Sequence, residues 1–226
     1  MKARLHHATA IVVACVATAC SDQSPGATEQ VDVTLQQTDA VLAQAVSGWY
    51  ASVIGGGGSF TAAIDPDTVE TLTIRITSIE VLPEGSDEAD DAGWVELKPV
   101  EPVLLDLMAL PAEGESPLVI ASGEAGVGSY SNVRLLTDGA SISFKGPISL
   151  GPAFTLAGGE VHQVDIPSGA ETGIKTGASF TVDANGTAND VNLLFSSGAT
   201  LQNIAATGND TVLLAPVIRE RGDGGA

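Results

Sequence analysis

Enzyme chemistry needs particular residue types at particular spacings, and few such sets occur in this chain of 226 residues. A Ser or Cys nucleophile needs a base within hydrogen-bond reach, most often His. Beyond the first nineteen residues His162 is the one histidine, and no Gly-x-Ser-x-Gly elbow occurs. His162 and Asp165 are three apart, so on a strand they face opposite sides. His162 therefore reads as a surface strand residue. Zinc sites gather Cys and His, but both cysteines, Cys15 and Cys20, lie at the N-terminal end. The body is left without thiol chemistry, an internal disulfide or a zinc site.

Oxygen ligands are plentiful. Glu84, Asp87, Glu88, Asp90 and Asp91 crowd one Gly-bounded loop, and Asp183-Ala184-Asn185-Gly186 with Asn189 and Asp190 makes a second oxygen-rich turn. Calcium takes carboxylate and carbonyl oxygens, so Asp87, Glu88, Asp90 and Asp91 are candidate calcium ligands. Their spacing fits no EF-hand. The alternative readings are a solvated acidic loop and an Asn-Gly hairpin. No other cofactor is suggested. Glycoside hydrolysis needs two carboxyl groups at a fixed separation, but among 28 acidic residues pairs arise from composition alone. Exposed aromatics can stack on sugars. Trp49 and Tyr50 are the candidate ligand-binding pair, while Trp94 and Tyr130 are expected in the core. The run Gly55–Gly58 lacks the Lys-Ser/Thr of a phosphate loop and reads as a hinge. Arg221-Gly222-Asp223, in a Gly-rich tail, is expected to be a chance tripeptide. No catalytic residues are assigned, and the chain is expected not to be an enzyme.

The elements that carry these residues follow from composition and periodicity. Nine Lys+Arg against 28 Asp+Glu give a formal net charge of −19. That balance excludes nucleic acid, whose phosphates need cations, and docking on anionic lipid through a basic patch. Hydrophobic residues at 44% and charged residues at 16% exclude a disordered acidic chain. With aromatics at 4% the core must come from Val, Ile, Leu and Ala. At the N-terminus Lys2 and Arg4 precede an apolar stretch, Ala8 to Ala19, too short to span a bilayer. Val16-Ala17-Thr18-Ala19-Cys20, followed by a polar linker, resembles a bacterial lipobox, with Ala17 where the motif usually has Leu. The resemblance implies a signal peptide over 1–19, lipidation of Cys20, and a tether over 20–29 that anchors the chain to a membrane through several acyl chains. Ser21 resembles an outer-membrane sorting signal, placing the protein in the cell envelope on the periplasmic or surface face.

Residues 30–38 alternate Val31, Val33 and Leu35 with polar residues, the period of a half-buried strand. Residues 39–53 have the spacing of a short amphipathic helix, and Asp65-Pro66-Asp67 marks a turn. Leu72, Ile74 and Ile76 alternate, then Ile79 and Val81 continue on the other parity, which predicts a bulge near Thr77-Ser78. Further strands are expected at 94–97, 118–121, 131–137, 140–145, 161–166, 178–183, 190–195 and 211–218, with a strand or turn at 103–110. Asn185-Gly186 has the form of a two-residue hairpin turn. Many short strands between turns predict a sandwich or barrel, in one domain over 30–219 with a flexible tail at 220–226.

Several blocks in order resemble the DUF4382 family, a lipoprotein domain of unknown function. They are Val69 to Val81, Trp94 to Leu97, Val103 to Leu107, Gly128 to Leu135, Ile166-Pro167-Ser168-Gly169 with Gly173-Ile174-Lys175, Val191 to Phe195, and Leu213 to Arg219. Asn192 stands where the family tends to carry Asp, and residues 41–67 resemble an insertion. The resemblance implies an antiparallel β-sandwich of immunoglobulin or transthyretin-like type and no catalytic residues. The expected function is that of a non-catalytic envelope lipoprotein binding a protein or glycan partner through its loops. The alternatives are a calcium-stabilised adhesive or structural module and, behind it, a glycan-acting enzyme.

Overall fold

The computed structural model describes residues 26–38, 60–100, 104–150, 154–167, 169, 171–184, 189–202, 204–206 and 212–221. Cys20, Trp49, Tyr50 and the helix expected over 39–53 lie outside the described residues, as does Asn185-Gly186.

The chain is mainly β. Its strands are β1 (Thr28–Thr38), β2 (Phe60–Ala62), β3 (Val69–Pro83), β4 (Val95–Pro99), β5 (Leu104–Asp106), β6 (Leu118–Gly126) and β7 (Gly128–Phe144). They continue with β8 (Ile148–Ser149), β9 (Thr155–Leu156), β10 (Val161–Asp165), β11 (Ile174–Lys175), β12 (Phe180–Val182) and β13 (Asn189–Ser196). One short helix, α1 (Ser197–Leu201), precedes β14 (Ile204–Ala206), β15 (Val212–Leu213) and β16 (Ile218–Glu220). One sheet runs β16-β13-β1-β6-β4-β3-β7-β10-β15-β14-β2, with β11 and β12 also on β7 and β5 also on β3. It is mixed rather than wholly antiparallel, because β1 pairs β13 and β10 pairs β15 in parallel.

Connectivity forces this sheet to curl. Between β15 and β16 lie eight steps of the strand order, about 38 Å in a flat sheet at roughly 4.8 Å per step. Only residues 214–217 join them, and so short a link reaches about 17 Å at most. The two ends must therefore lie over one another, enclosing a single core between the layers. Val31, Val33, Leu35, Leu193 and Phe195 from one layer and Leu72, Ile74, Leu135, Ile142 and Phe144 from the other form one buried cluster. Each such side chain contributes about 1.5–3 kcal/mol of burial.

The long β3–β7 pair is the spine. Its register shifts between Ile76 and Ser78, where the change of parity predicted a bulge. The strands expected at 131–137 and 140–145 are a single strand. Asp138-Gly139 does not break it, because the register also shifts between Arg75 and Ile76, so that Arg75 faces Gly139 and Ile76 faces Thr137. Asp138 is left over and turns out to a bidentate bond with Arg75, at 2.5 and 2.7 Å. The strand expected at 211–218 is two pieces in different layers, β15 and β16. Pro216, which has no N–H for a ladder, lies in the link. Likewise the strands on either side of Asn185-Gly186 form no hairpin: β12 pairs β7 and β13 pairs β1. Strand β1 is more buried than half. Thr34 and Gln36 are buried on the face opposite Leu35, where Gln36 Nε2 donates to the carbonyls of Ala112 and Glu115 at 3.2 and 2.7 Å.

The Pro167-Gly169 turn and Gly173-Ile174-Lys175 form a strap along β7. Thr137 N–H donates to Gly169 O at 2.9 Å, Ile174 and Lys175 pair with Leu135 and Arg134, and Thr176 N–H donates to Val133 O. A Cβ at Gly169 would lie 2.5 Å from Thr137 Oγ1. Gly173 has φ +73° and lies against Leu135 O. Both glycines are thus required by close approach to β7, and Gly173 by backbone conformation as well.

Candidate functional site

Two acidic surfaces stand out, at opposite ends of β7. The first is the loop at residues 84–93. It leaves β3 at Pro83, which pairs with Tyr130 near the start of β7, and folds back over the outer face of the sheet. Four of its five carboxylates go to separate partners. Asp87 Oδ1 accepts from Ala89 N–H at 2.9 Å, and Asp90 Oδ1 accepts from Ala92 N–H at 3.0 Å, capping a short 3₁₀ turn over Asp91–Gly93. Glu88 pairs with Lys175 Nζ at 2.6 Å, and Asp91 with Arg134 Nη1 at 2.8 Å. Among the described residues no group of three His, Cys, Asp or Glu side chains stands close enough to hold a metal ion. The four candidate calcium ligands share a loop without converging on a point. In the second oxygen-rich turn Asn189 Oδ1 accepts from Asp183 N–H at 3.0 Å.

Arg134 is the centre of the loop's attachment. The β3–β7–β11 register places Glu80, Arg134 and Lys175 in one cross-strand row. Arg134 is only 6% exposed. It bonds Glu80 (15% exposed) at 2.6 Å and Asp91 (80% exposed) at 2.8 Å, and its guanidinium lies 4.3 Å from the centroid of the Trp94 ring. Burial works against the guanidinium charge, but the bonds and charges of Asp91 and Glu80 outweigh it, so it holds its proton more tightly than an ordinary arginine. Trp94 is buried as expected, and its Nε1 has no hydrogen-bond partner among the described residues. Tyr130 is also buried, stacked on Phe180 at 4.9 Å and donating its hydroxyl to Gly126 O at 2.8 Å. Burial raises its phenol above the ordinary range.

The second surface is a cleft of about 770 Å³ at the other end of β7. One wall is the 3₁₀ turn Pro66–Thr68, started by Asp65, whose Oδ1 accepts from Asp67 N–H at 3.0 Å. Proline at the first position suits such a turn, since its missing N–H would be unpaired there anyway. Glu70, at the start of β3, continues this wall. The facing wall is α1, capped by Ser196, which accepts from Ala199 N–H; Gln202 extends it. Ile64, Val69 and Met108 supply apolar lining. Lys145, just after β7, donates to Asp67 O at 2.9 Å. Sequence reasoning read Asp65-Pro66-Asp67 only as a turn and did not single out Glu70, Lys145 or Gln202. No local signal joins them, because they come from three separate segments, 65–70, 145 and 202.

His162 lies partly exposed on β10, its Nε2 2.9 Å from Ala157 O and its ring tilted against Phe144. That ring nitrogen is bonded to a backbone carbonyl rather than to a Ser or Thr hydroxyl. No helix among the described residues is long and apolar enough to cross a membrane.

A family model, a domain of unknown function (DUF4382), matches residues 59–216. Strands β1 and β16 lie outside that match, yet both are hydrogen-bonded into the sheet. No curated protein and no solved structure matches the chain.

Proposed function

The chain belongs to the DUF4382 family, a domain of unknown function, and from that premise we propose that it is a non-catalytic, lipid-anchored envelope protein that binds a ligand or protein partner at one end of its sandwich. The observation that carries this reading is the 770 Å³ cleft between the Pro66–Thr68 turn and α1. Its volume lies in the range of ligand sites, about 300–1,000 Å³, and loops and turns at a sandwich end are the usual place for recognition. The four candidate calcium ligands, Asp87, Glu88, Asp90 and Asp91, are held by amides, Arg134 and Lys175, which favours recognition at the cleft over a calcium-stabilised loop.

Photo-crosslinking in the native envelope tests the proposal. A photoreactive residue at Gln202 or Glu70 is expected to capture a discrete partner, while the same residue at exposed Lys98, on β4, captures none. Equal yields from all three positions would refute binding at the cleft. The anchor is tested separately: incorporation of a fatty-acid label is expected in the native chain and absent from the Cys20→Ala variant.

A further inference from the structure

We propose that the cleft receives a basic segment of a partner protein, a Lys- or Arg-bearing stretch of peptide seated between the Pro66–Thr68 turn and α1. This rests on the cleft being the binding site and adds the chemistry of what enters it. Charge complementarity carries the assignment. Among the described residues three carboxylates line the cleft, those of Asp65, Asp67 and Glu70, against the single ammonium of Lys145. Asp65 is occupied in capping the turn, and Lys145 donates to the Asp67 carbonyl. The carboxylates of Asp67 and Glu70 have no partner among the described residues, and both residues are exposed. In the 84–93 loop, by contrast, Glu88 and Asp91 each have their own cation. The cleft therefore offers negative charge that the described fold does not neutralise.

Two further features favour a peptide. The apolar lining of Ile64, Val69 and Met108 suits the methylene stems of Lys and Arg, which pack on apolar surface while their heads reach carboxylates at the rim. A volume of about 770 Å³ is far more than one ammonium group fills. The chain's net charge of −19 also attracts cationic partners and repels anionic ones at long range.

The test uses the full lipoprotein in neutral detergent and fluorescein-labelled octapeptides alternating Ala with Lys, Gln or Glu. The Lys peptide is expected to bind, with the Gln and Glu peptides at least about tenfold weaker. Asp67→Asn with Glu70→Gln should weaken it about five- to tenfold, the combined scale of two exposed charge pairs. A control pair, Glu84→Gln with Asp183→Asn, removes the same charge at the Gly128 end of β7 and should change binding less than about twofold, since exposed charges more than a Debye length away are screened. Equal weakening by both pairs would mean attraction to net charge only and would overturn the proposal. Binding of the Gln or Glu peptide that ignores both pairs would overturn the cationic assignment while cleft crosslinking, if seen, keeps the binding site. Binding of spermine without binding of the Lys peptide would overturn the peptide assignment. Loss of both peptide binding and cleft crosslinking would remove the binding site itself.

Discussion

The loop at 84–93 and the cleft wall at 65–70 are both acidic, but the fold treats their charges differently. In the loop four of the five carboxylates, all but exposed Glu84, have a partner: two backbone amides, the ammonium of Lys175 and the buried guanidinium of Arg134. At the wall, among the described residues, only Asp65 is occupied, while Asp67 and Glu70 are exposed with Lys145 as the one cation lining the cleft. The number of acids in a segment therefore says little about whether it can receive a cation. A carboxylate already engaged by the fold has little to offer a ligand, because the ligand must displace the existing partner.

Removal of Arg134 should have the largest effect on the loop's attachment. Arg134→Met leaves Glu80, 15% exposed, without its cation; losing one partner of a largely buried pair should cost about 3 kcal/mol. At roughly 2–4 °C per kcal/mol for a chain of this size, thermal unfolding should begin some 6–12 °C earlier. Adding Glu80→Gln should recover part of the loss, and a double-mutant cycle in urea would measure that coupling. An unchanged midpoint for Arg134→Met would mean that the loop is not held by this row of charges.

Much smaller effects are expected from the exposed ends of the same network. Glu88→Gln and Asp91→Asn should each cost about 0.5 kcal/mol or less, since exposed ion pairs are worth little, and high salt should erase the difference. At the cleft wall Asp67→Asn with Glu70→Gln should alter the urea midpoint by no more than about 0.5 kcal/mol, as surface changes without partners usually do. A clear loss of stability there would show that these carboxylates are structural. The smallest effect is expected from metal. Millimolar calcium in place of chelator should move the thermal midpoint by less than about 1 °C, because a ligand stabilises only where it binds the folded state. A rise of several degrees, lost in Asp87→Asn/Asp90→Asn/Asp91→Asn, would make the loop a calcium site and dissolve the contrast.

Much of the fold was legible in the residues. Alternation marked β1 and β3, the strands at 161–166 and 190–195 were expected where β10 and β13 lie, and the change of parity after Ile76 marked the bulge. Trp94 and Tyr130 were recognised as core residues, and Asp65-Pro66-Asp67 as a turn. What could not be read depended on a neighbouring strand. Asp138-Gly139 stays within β7 because a register shift against β3 absorbs the extra residue. Residues 212–220 split between two layers because the sheet curls. Asn185-Gly186 has hairpin chemistry, yet its flanking strands belong to β7 and β1. Gln36 reads as a solvent-facing residue until the 112–115 segment covers it. The acidic loop was visible as composition, but its cations were not, since Arg134 and Lys175 lie 43 and 87 residues beyond Asp91 and Glu88 respectively.

The β class, the acidic balance, the apolar faces and the local turns follow from the order of the amino acids alone. Each follows from residues within a few positions of one another, whose periodicity and backbone preferences act before any long-range contact forms. The tertiary structure decided which carboxylates are neutralised and which remain free. That depends on cross-strand register: Glu80, Arg134 and Lys175 come into one row only when β3, β7 and β11 pair. Ion pairing acts over a few ångströms of space, and separation along the chain does not fix that distance.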